Sequence, residues 1–369
     1  MRNSLAERLL AKVMHWSAED VSTERPILQF LANYKYDEYQ QFSPGIRFIE
    51  SLAIWLSQFP TLEEKQIAYK FVRERLVFLS SSEMSTLVSS LYPDYIKNIL
   101  ISEVSELLRL PKYKVNAVIK SEEFRKTLRS SLFLGLSDGA KIDIFRRSSQ
   151  DISNEQVFAF YDVSKEKLSE ALNDLNLDLK EDGGAKFSHL FLIDDFAGSG
   201  MSYLRDTKDG HKGKINKIVS RLSGLEKSII NDDACFHIVL YVCTAQAEKH
   251  LEALLKEYFS TKSYRYSLII IQRLDESFPI GVSDFEILSI IKNPNYYDPT
   301  AEDKHTEVGG TRKVDLGFAG CALPLVLSHN TPNNSIFLLW SDRRAFRNTG
   351  LFPRMSRHKE NLEVAKKDV

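Results

Sequence analysis

Cysteine is scarce. The three residues present in 369, Cys235, Cys243 and Cys321, are widely spaced and form no CxxC pair. That excludes a disulfide framework and a zinc knuckle, and it fits a reducing compartment. Cys243 lies in an apolar run and reads as a small core residue. Long apolar stretches are also missing: no segment approaches the roughly 20 residues of a membrane span. The N-terminal run MRNSLAERLLAKVMHW is amphipathic and broken by charge, without the apolar core of a secretion signal. These absences lead us to expect a soluble, cytoplasmic protein with no membrane partner. An excess of one charge is lacking too, with 49 Lys and Arg against 50 Asp and Glu. Bulk charge therefore does not argue for a polyanionic partner, and only a local basic patch stays open. We find no internal repeat and no low-complexity segment. What remains is an ordinary globular composition, 43% hydrophobic and 27% charged, long enough for two domains.

The first third reads as helical. Ser43-Pro44 has the signature of a helix start, a capping side chain followed by proline. Ile46, Ile49, Leu52, Ala53 and Leu56 then recur at helical spacing. Thr61 and Glu64 have the spacing of a capping box, and Ile67, Ala68, Phe71, Val72, Arg75, Leu76 and Leu79 continue one helical face. Trp55 and Phe59 are expected in a helical core, with interface aromatics as the alternative reading. Further helices are expected over Met84–Leu91 and Tyr95–Leu108.

The pattern changes near Ser131. Short apolar runs at Leu132–Leu134, His189–Ile193, His237–Cys243 and Ser267–Gln272 alternate with helical patterns at Lys165–Leu175, Ile215–Leu225, Ala247–Phe259 and Asp284–Ile291. Asn154-Glu155-Gln156 looks like a further helix start, and Glu181–Gly184 like a flexible turn. Strands alternating with helices predict right-handed crossovers and a mainly parallel sheet, an α/β fold. Gly317–Trp340, with two short apolar runs, is expected to cap or edge that sheet. The expected organisation is a helical docking region over 1–128, an α/β domain with C-terminal cap over 129–356, and a charged, disordered tail over 357–369.

One segment carries chemistry. In FLIDDFAGSGMSY, residues 191–203, a buried strand delivers Asp194 and Asp195 to its C-terminal edge, where open parallel sheets bind ligands. Ala197, Gly198, Ser199, Gly200, Met201 and Ser202 follow. Small residues let backbone N–H groups wrap a phosphate, and the serines add hydroxyl donors. The next helix is expected to turn its positive end toward the anion. The carboxylates suit ribose hydroxyls, directly or through the water shell of a metal. No Gly-Lys-Ser/Thr follows, so this is not a Walker A loop, and it is not the Gly-x-Gly-x-x-Gly dinucleotide turn. A structural turn alone would not require two acids at the end of a buried strand.

The segment resembles the phosphoribosyl diphosphate motif of phosphoribosyltransferases, with glycine at 198 where threonine is frequent and methionine at 201. More of the chain is similar to the phosphoribosyltransferase-like PRTase-CE family of bacterial conflict and phage-defence systems. That likeness rests on Gly135–Ala140 running into Asp143–Arg147 and Asn154–Val157, on Trp55–Phe59, and on Gly320–Val326 followed by His329–Asn334, Trp340 and Leu351–Arg354.

The resemblance implies a twisted, mainly parallel sheet flanked by helices after a helical N-terminal region. It also implies a diphosphate-side loop at Ser137, Asp138, Gly139 and Ala140, with Arg146 and Arg147 as candidate counter-charges. His329, Asn330 and Asn333 become candidates for the acceptor side. Surface arginines and a hydrogen-bonded turn are the plain readings of those last two groups. His237 reads as a satisfied core histidine. Lys212 and Lys214 follow the phosphate loop and could reach a phosphate or nucleic acid, with solvated loop residues as the default reading. The implied activity is displacement at the anomeric carbon of phosphoribosyl diphosphate or a related nucleotide, with Mg2+ on the diphosphate and Asp194 and Asp195 as catalytic residues. A sensing module that binds without turnover and a nucleotide N-glycosidase are the alternatives. Implied partners are a retron-type reverse transcriptase with its RNA–DNA product, and a homo-oligomer is compatible with the pattern.

Overall fold

The computed structural model describes residues 3–42, 45–159, 164–181, 184–224, 229–302, 304–341 and 349–354. The expected helix start at Ser43-Pro44, the centre of the Glu181–Gly184 turn, Leu225 and the charged tail lie outside these residues. The chain divides into two compact units, Met1–Ser81 with Ser277–Val369, and Ser82–Glu276. Residues 82–128, assigned from sequence to the N-terminal region, belong with the sheet. The C-terminal quarter, from Ser277, belongs to the unit of the N-terminal helices.

The first unit is built on helices Asn3–Met14, Ala18–Tyr34, Phe48–Ser57 and Leu62–Glu74. The Thr61–Glu64 capping box is formed, each side chain answering the other's backbone N–H. Trp55 and Phe59 are buried as expected, and the Trp55 indole donates to the Leu338 carbonyl at 2.9 Å. The long helix stops earlier than its periodicity suggests. It ends at Glu74, and Val77–Leu79 forms a parallel pair with Leu325–Leu327. The expectation of an edge on the main sheet is corrected here: Leu325–Leu327 belongs to this separate two-stranded sheet. Its three apolar residues are satisfied by the equally short run at 77–79, and a short apolar run carries no signal for which sheet it joins.

The second unit holds a five-stranded parallel sheet. We number its strands β1 (Ser131–Gly135), β2 (Val157–Ala159), β3 (Phe187–Ala197), β4 (Ile230–Thr244) and β5 (Arg265–Leu274), in the spatial order β2-β1-β3-β4-β5. Every neighbouring pair is parallel. Asn154–Gln156 is a single 3-10 turn feeding the three-residue edge strand β2, where the sequence suggested a helix start.

Helices cover both faces of the sheet. Leu132, Leu134, Leu190, Leu192, Ile238 and Leu240 share one core with helices Lys165–Leu179, Lys214–Ser223 and Ala245–Ser260. On the other face Phe133 stacks on Phe191 at 5.1 Å and meets Phe145 of helix Ile142–Ser148 at 5.3 Å. Helix Lys97–Leu107 joins that face through Glu103, paired with His189 at 3.4 Å. Covered on both sides, these strands read as continuous apolar runs rather than alternating ones. The strand order has a functional consequence. The chain leaves β1 toward one edge and returns to β3 on the other side of β1, so the topological switch lies between β1 and β3. In open α/β sheets the crevice beyond the strand C-termini at that point is where ligands bind.

Candidate functional site

Both acids lie at this switch. Gly135, the last residue of β1, pairs with Ile193 of β3, and the Leu136 amide extends the pairing to the Ile193 carbonyl at 2.8 Å. This register places the turn after β1 directly beside Asp194. Ser137 donates its hydroxyl to Asp194 Oδ1, and Lys214 Nζ closes an ion pair on Asp194 Oδ2. Asp194 is completely buried, whereas Asp195 is half-buried. A Cβ on Gly139 would come 2.6 Å from Asp195 Cγ, so only glycine allows the turn this close to the carboxylate. Residues 137–140 are therefore brought against the acid pair, Ser137 on one carboxylate and Gly139 on the other.

Burial and the neighbouring Asp195 charge push the Asp194 carboxyl above its ordinary value, and Lys214 and Ser137 pull it back only in part. Loss of hydration outweighs one ion pair, as expected of a fully buried acid. The same burial and the two acids hold the proton on Tyr203, whose ring lies 4.9 Å from Lys214 Nζ and whose hydroxyl donates to the Phe196 carbonyl at 2.8 Å.

The loop after β3 turns tightly and is held from outside. Gly200 has φ +76°, and a Cβ there would meet His250 Cδ2 at 2.9 Å. Thr244, at the end of β4, donates to the Gly198 carbonyl at 2.6 Å and caps helix Ala245–Ser260 by accepting from the Ala247 amide. His250 contacts the Leu204 carbonyl at 2.8 Å. Among the described residues, none accepts a hydrogen bond from the amides of Ser199, Gly200, Met201 or Ser202. Four successive free amides on a loop supported in this way have the chemistry to take up an anion.

Other expected residues fall elsewhere. The loop does not run straight into a helix. A hairpin, Arg205–Thr207 with Gly210–Lys212, intervenes, and the helix starts at Lys214. Lys214 is accordingly no solvated loop residue, because its ammonium reaches back to Asp194. Lys212 remains exposed, paired with Asp209. Arg146 and Arg147 are exposed in the last turn of helix Ile142–Ser148. Arg147 bonds Asp143 on its own helix at 2.6 Å, and neither arginine bonds to the acids or the loop. His329, Asn330 and Asn333 belong to the first unit. There the Leu327 amide donates to the Asn330 carbonyl, the Phe318 amide donates to the Asn333 carbonyl, and Gln41 donates to the His329 carbonyl at 2.9 Å. Thr244 carried no motif, Tyr203 closed the 191–203 segment without a role of its own, and nothing in the sequence tied Lys214 to Asp194. Only the spacing from acid to helix start could have pointed to Lys214.

His237 is a buried, satisfied core histidine, bonded to His189 at 3.1 Å and to Ser267 at 2.7 Å. Among the described residues, no cluster of three or more His, Cys, Asp or Glu could hold a metal ion, and no helix is long and apolar enough to cross a membrane.

A model of the PRTase-CE family matches residues 52–354. The chain belongs to the PRTase-CE family. It is thus a phosphoribosyltransferase-like protein, and the match spans most of both compact units. No curated protein and no solved structure matches this PRTase-CE chain.

Proposed function

We propose that this PRTase-CE protein binds phosphoribosyl diphosphate, or a nucleotide with the same ribose phosphate, at the β1/β3 switch, and that it transfers or hydrolyses at the anomeric carbon. The observation that carries this reading is the pairing of two acids with a four-amide cradle at the C-terminal edge of one strand. The cradle formed by Ser199–Ser202 takes the 5-phosphate, and the carboxylates accept from the ribose hydroxyls. The turn Ser137–Ala140 faces the diphosphate. Positive charge develops on the sugar as the diphosphate departs, and Asp195, half-exposed beside that point, favours it electrostatically.

Mg2+ fits as a ligand-borne ion rather than a resident one, because the described residues hold no group of three or more His, Cys, Asp or Glu that could bind it. Asp195 would hold it through its water shell, and the ion would offset the charge on the leaving diphosphate. Lys214 neutralises Asp194 in the unliganded protein and lies beside the phosphate loop, ready to move to an arriving anion. The acceptor is a base, a nucleotide, a protein group or water. The family likeness further supports a role as effector in an anti-phage defence system, acting with a reverse transcriptase and its RNA–DNA product.

The test is induction in a bacterial host followed by mass spectrometry of the nucleotide pool, together with turnover of phosphoribosyl diphosphate and Mg2+ in vitro. Wild type should deplete one ribose-phosphate compound, and D194N and D195N should not. Unchanged pools and no turnover, with and without the nucleoprotein partner, would sink the catalytic reading. Retained ligand binding in that case would leave a sensor.

A further inference from the structure

Tyr241 of β4 is fully buried, and its hydroxyl has no hydrogen-bond partner among the described residues. Asp194 pairs with Leu240 and Phe196 with Val242, so Asp195 and Tyr241 occupy adjacent register positions on the same face of the sheet. Native proteins leave few buried polar groups unpaired, because each forfeits its hydration without return. Phenylalanine would fill the same space without that cost. After burial itself, the charges of Asp195 and then Asp194 act most on this phenol, and all three keep it protonated. It is therefore a neutral donor with no acceptor in hydrogen-bond reach among the described residues, on the same face and in register with a carboxylate that can only accept.

We propose that Tyr241 is a ligand-binding residue that completes the sugar subsite. One ribose hydroxyl donates its proton to Asp195 and accepts from the Tyr241 hydroxyl on a free lone pair. A sugar hydroxyl is both donor and acceptor, which is the combination this pair lacks. This inference rests on the phosphoribose reading of the site and adds a residue that no motif marked.

The experiment compares wild type, Y241F and D195N by calorimetric titration with phosphoribosyl diphosphate and Mg2+, and by thermal melting without ligand. Y241F should bind about 5- to 10-fold more weakly, the loss of one neutral hydrogen bond. Unliganded Y241F should melt at the same temperature as wild type or higher, because an unpaired buried hydroxyl is gone. A lower melting temperature, or failure to fold, would show that the hydroxyl already has a partner and would overturn the proposal. Binding by Y241F within about twofold of wild type, while D195N weakens by tenfold or more, would overturn the role of Tyr241 and leave the site reading intact. If wild type does not bind, or neither variant changes binding, the phosphoribose reading fails and the inference falls with it.

Discussion

Removing the Lys214 ammonium tests the electrostatics of the site directly. Asp194 has no exposed surface, and its carboxylate accepts from the Ser137 hydroxyl and pairs with the Lys214 ammonium. Lys214→Met keeps most of the aliphatic stem against Tyr203 and deletes the charge. Breaking a fully buried pair costs roughly 3–5 kcal/mol. The Lys214 side chain is 33% exposed, so water screens this pair and we expect about 2–3 kcal/mol at pH 7. The loss should depend on pH. Asp194 already has a raised pKa in the folded protein, and without Lys214 it rises further. An acid raised above its unfolded value contributes stability at low pH that is lost as pH rises through the folded pKa. The variant should therefore approach wild type in acid and fall behind it near neutrality. Urea unfolding at several pH values measures this. Adding D194N removes the stranded charge and should recover most of the loss. Equal stability of K214M and wild type at pH 7, with superimposable pH profiles, would refute the idea that Lys214 neutralises a buried carboxylate.

The site and its supports yield further expectations. Gly139→Ala places a methyl on Asp195, whose half-exposed side chain can rotate away; stability should fall by under about 1 kcal/mol while ligand affinity, read by titration, falls about tenfold. Gly200→Ala combines φ +76° with a 2.9 Å approach to His250, and denaturant unfolding should show a loss of about 1–3 kcal/mol. The buried His237 faces His189, Cys235 and Ser267, with Glu103 and Arg265 acting on it, and burial lowers its pKa from 6.5 to about 3. Its stabilising contribution is full above pH 6.5 and is lost as pH falls toward 3. At about 1.4 kcal/mol per pKa unit, about 2 kcal/mol disappears between pH 7 and 5, and H237N should flatten that slope in acid unfolding. Glu103, hydrogen-bonded to His189 and held at about 2, adds a second loss in the same direction below pH 4.5. Arg146→Ala and Arg147→Ala should leave ligand titration unchanged and alter stability by under about 0.5 kcal/mol, because both are exposed and Arg147 is spent on Asp143.

Much of the fold was legible because its signals are local. Buried parallel strands contain continuous apolar runs, so β1, β3 and β4 stand out between amphipathic helices, and the less buried β5 shows through its apolar run Leu268–Ile271. The acid pair followed by Gly198–Ser202 is contiguous in the chain, and its chemistry can be read from residue types alone. Strand β2 escaped because three residues after a helix-start signature carry no period. Val77–Leu79 escaped because its apolar residues continue the preceding helical spacing. Arg146 and Arg147 looked like phosphate ligands only while their helix had no direction; its last turn turns them to solvent.

By itself, then, the sequence determined the alternation of strand and helix, the balanced charge, and the acid pair with its small-residue loop at residues 191–203. Only the tertiary structure decided what surrounds that signature. The Gly135–Ile193 register sets Ser137 and Gly139 against the two acids, and a hairpin folds Lys214 back onto Asp194 from twenty positions away. The alignment of β4 with β3 brings Tyr241 beside Asp195. Each of these is a long-range pairing whose free energy depends on which strands become neighbours. No window of consecutive residues encodes that choice.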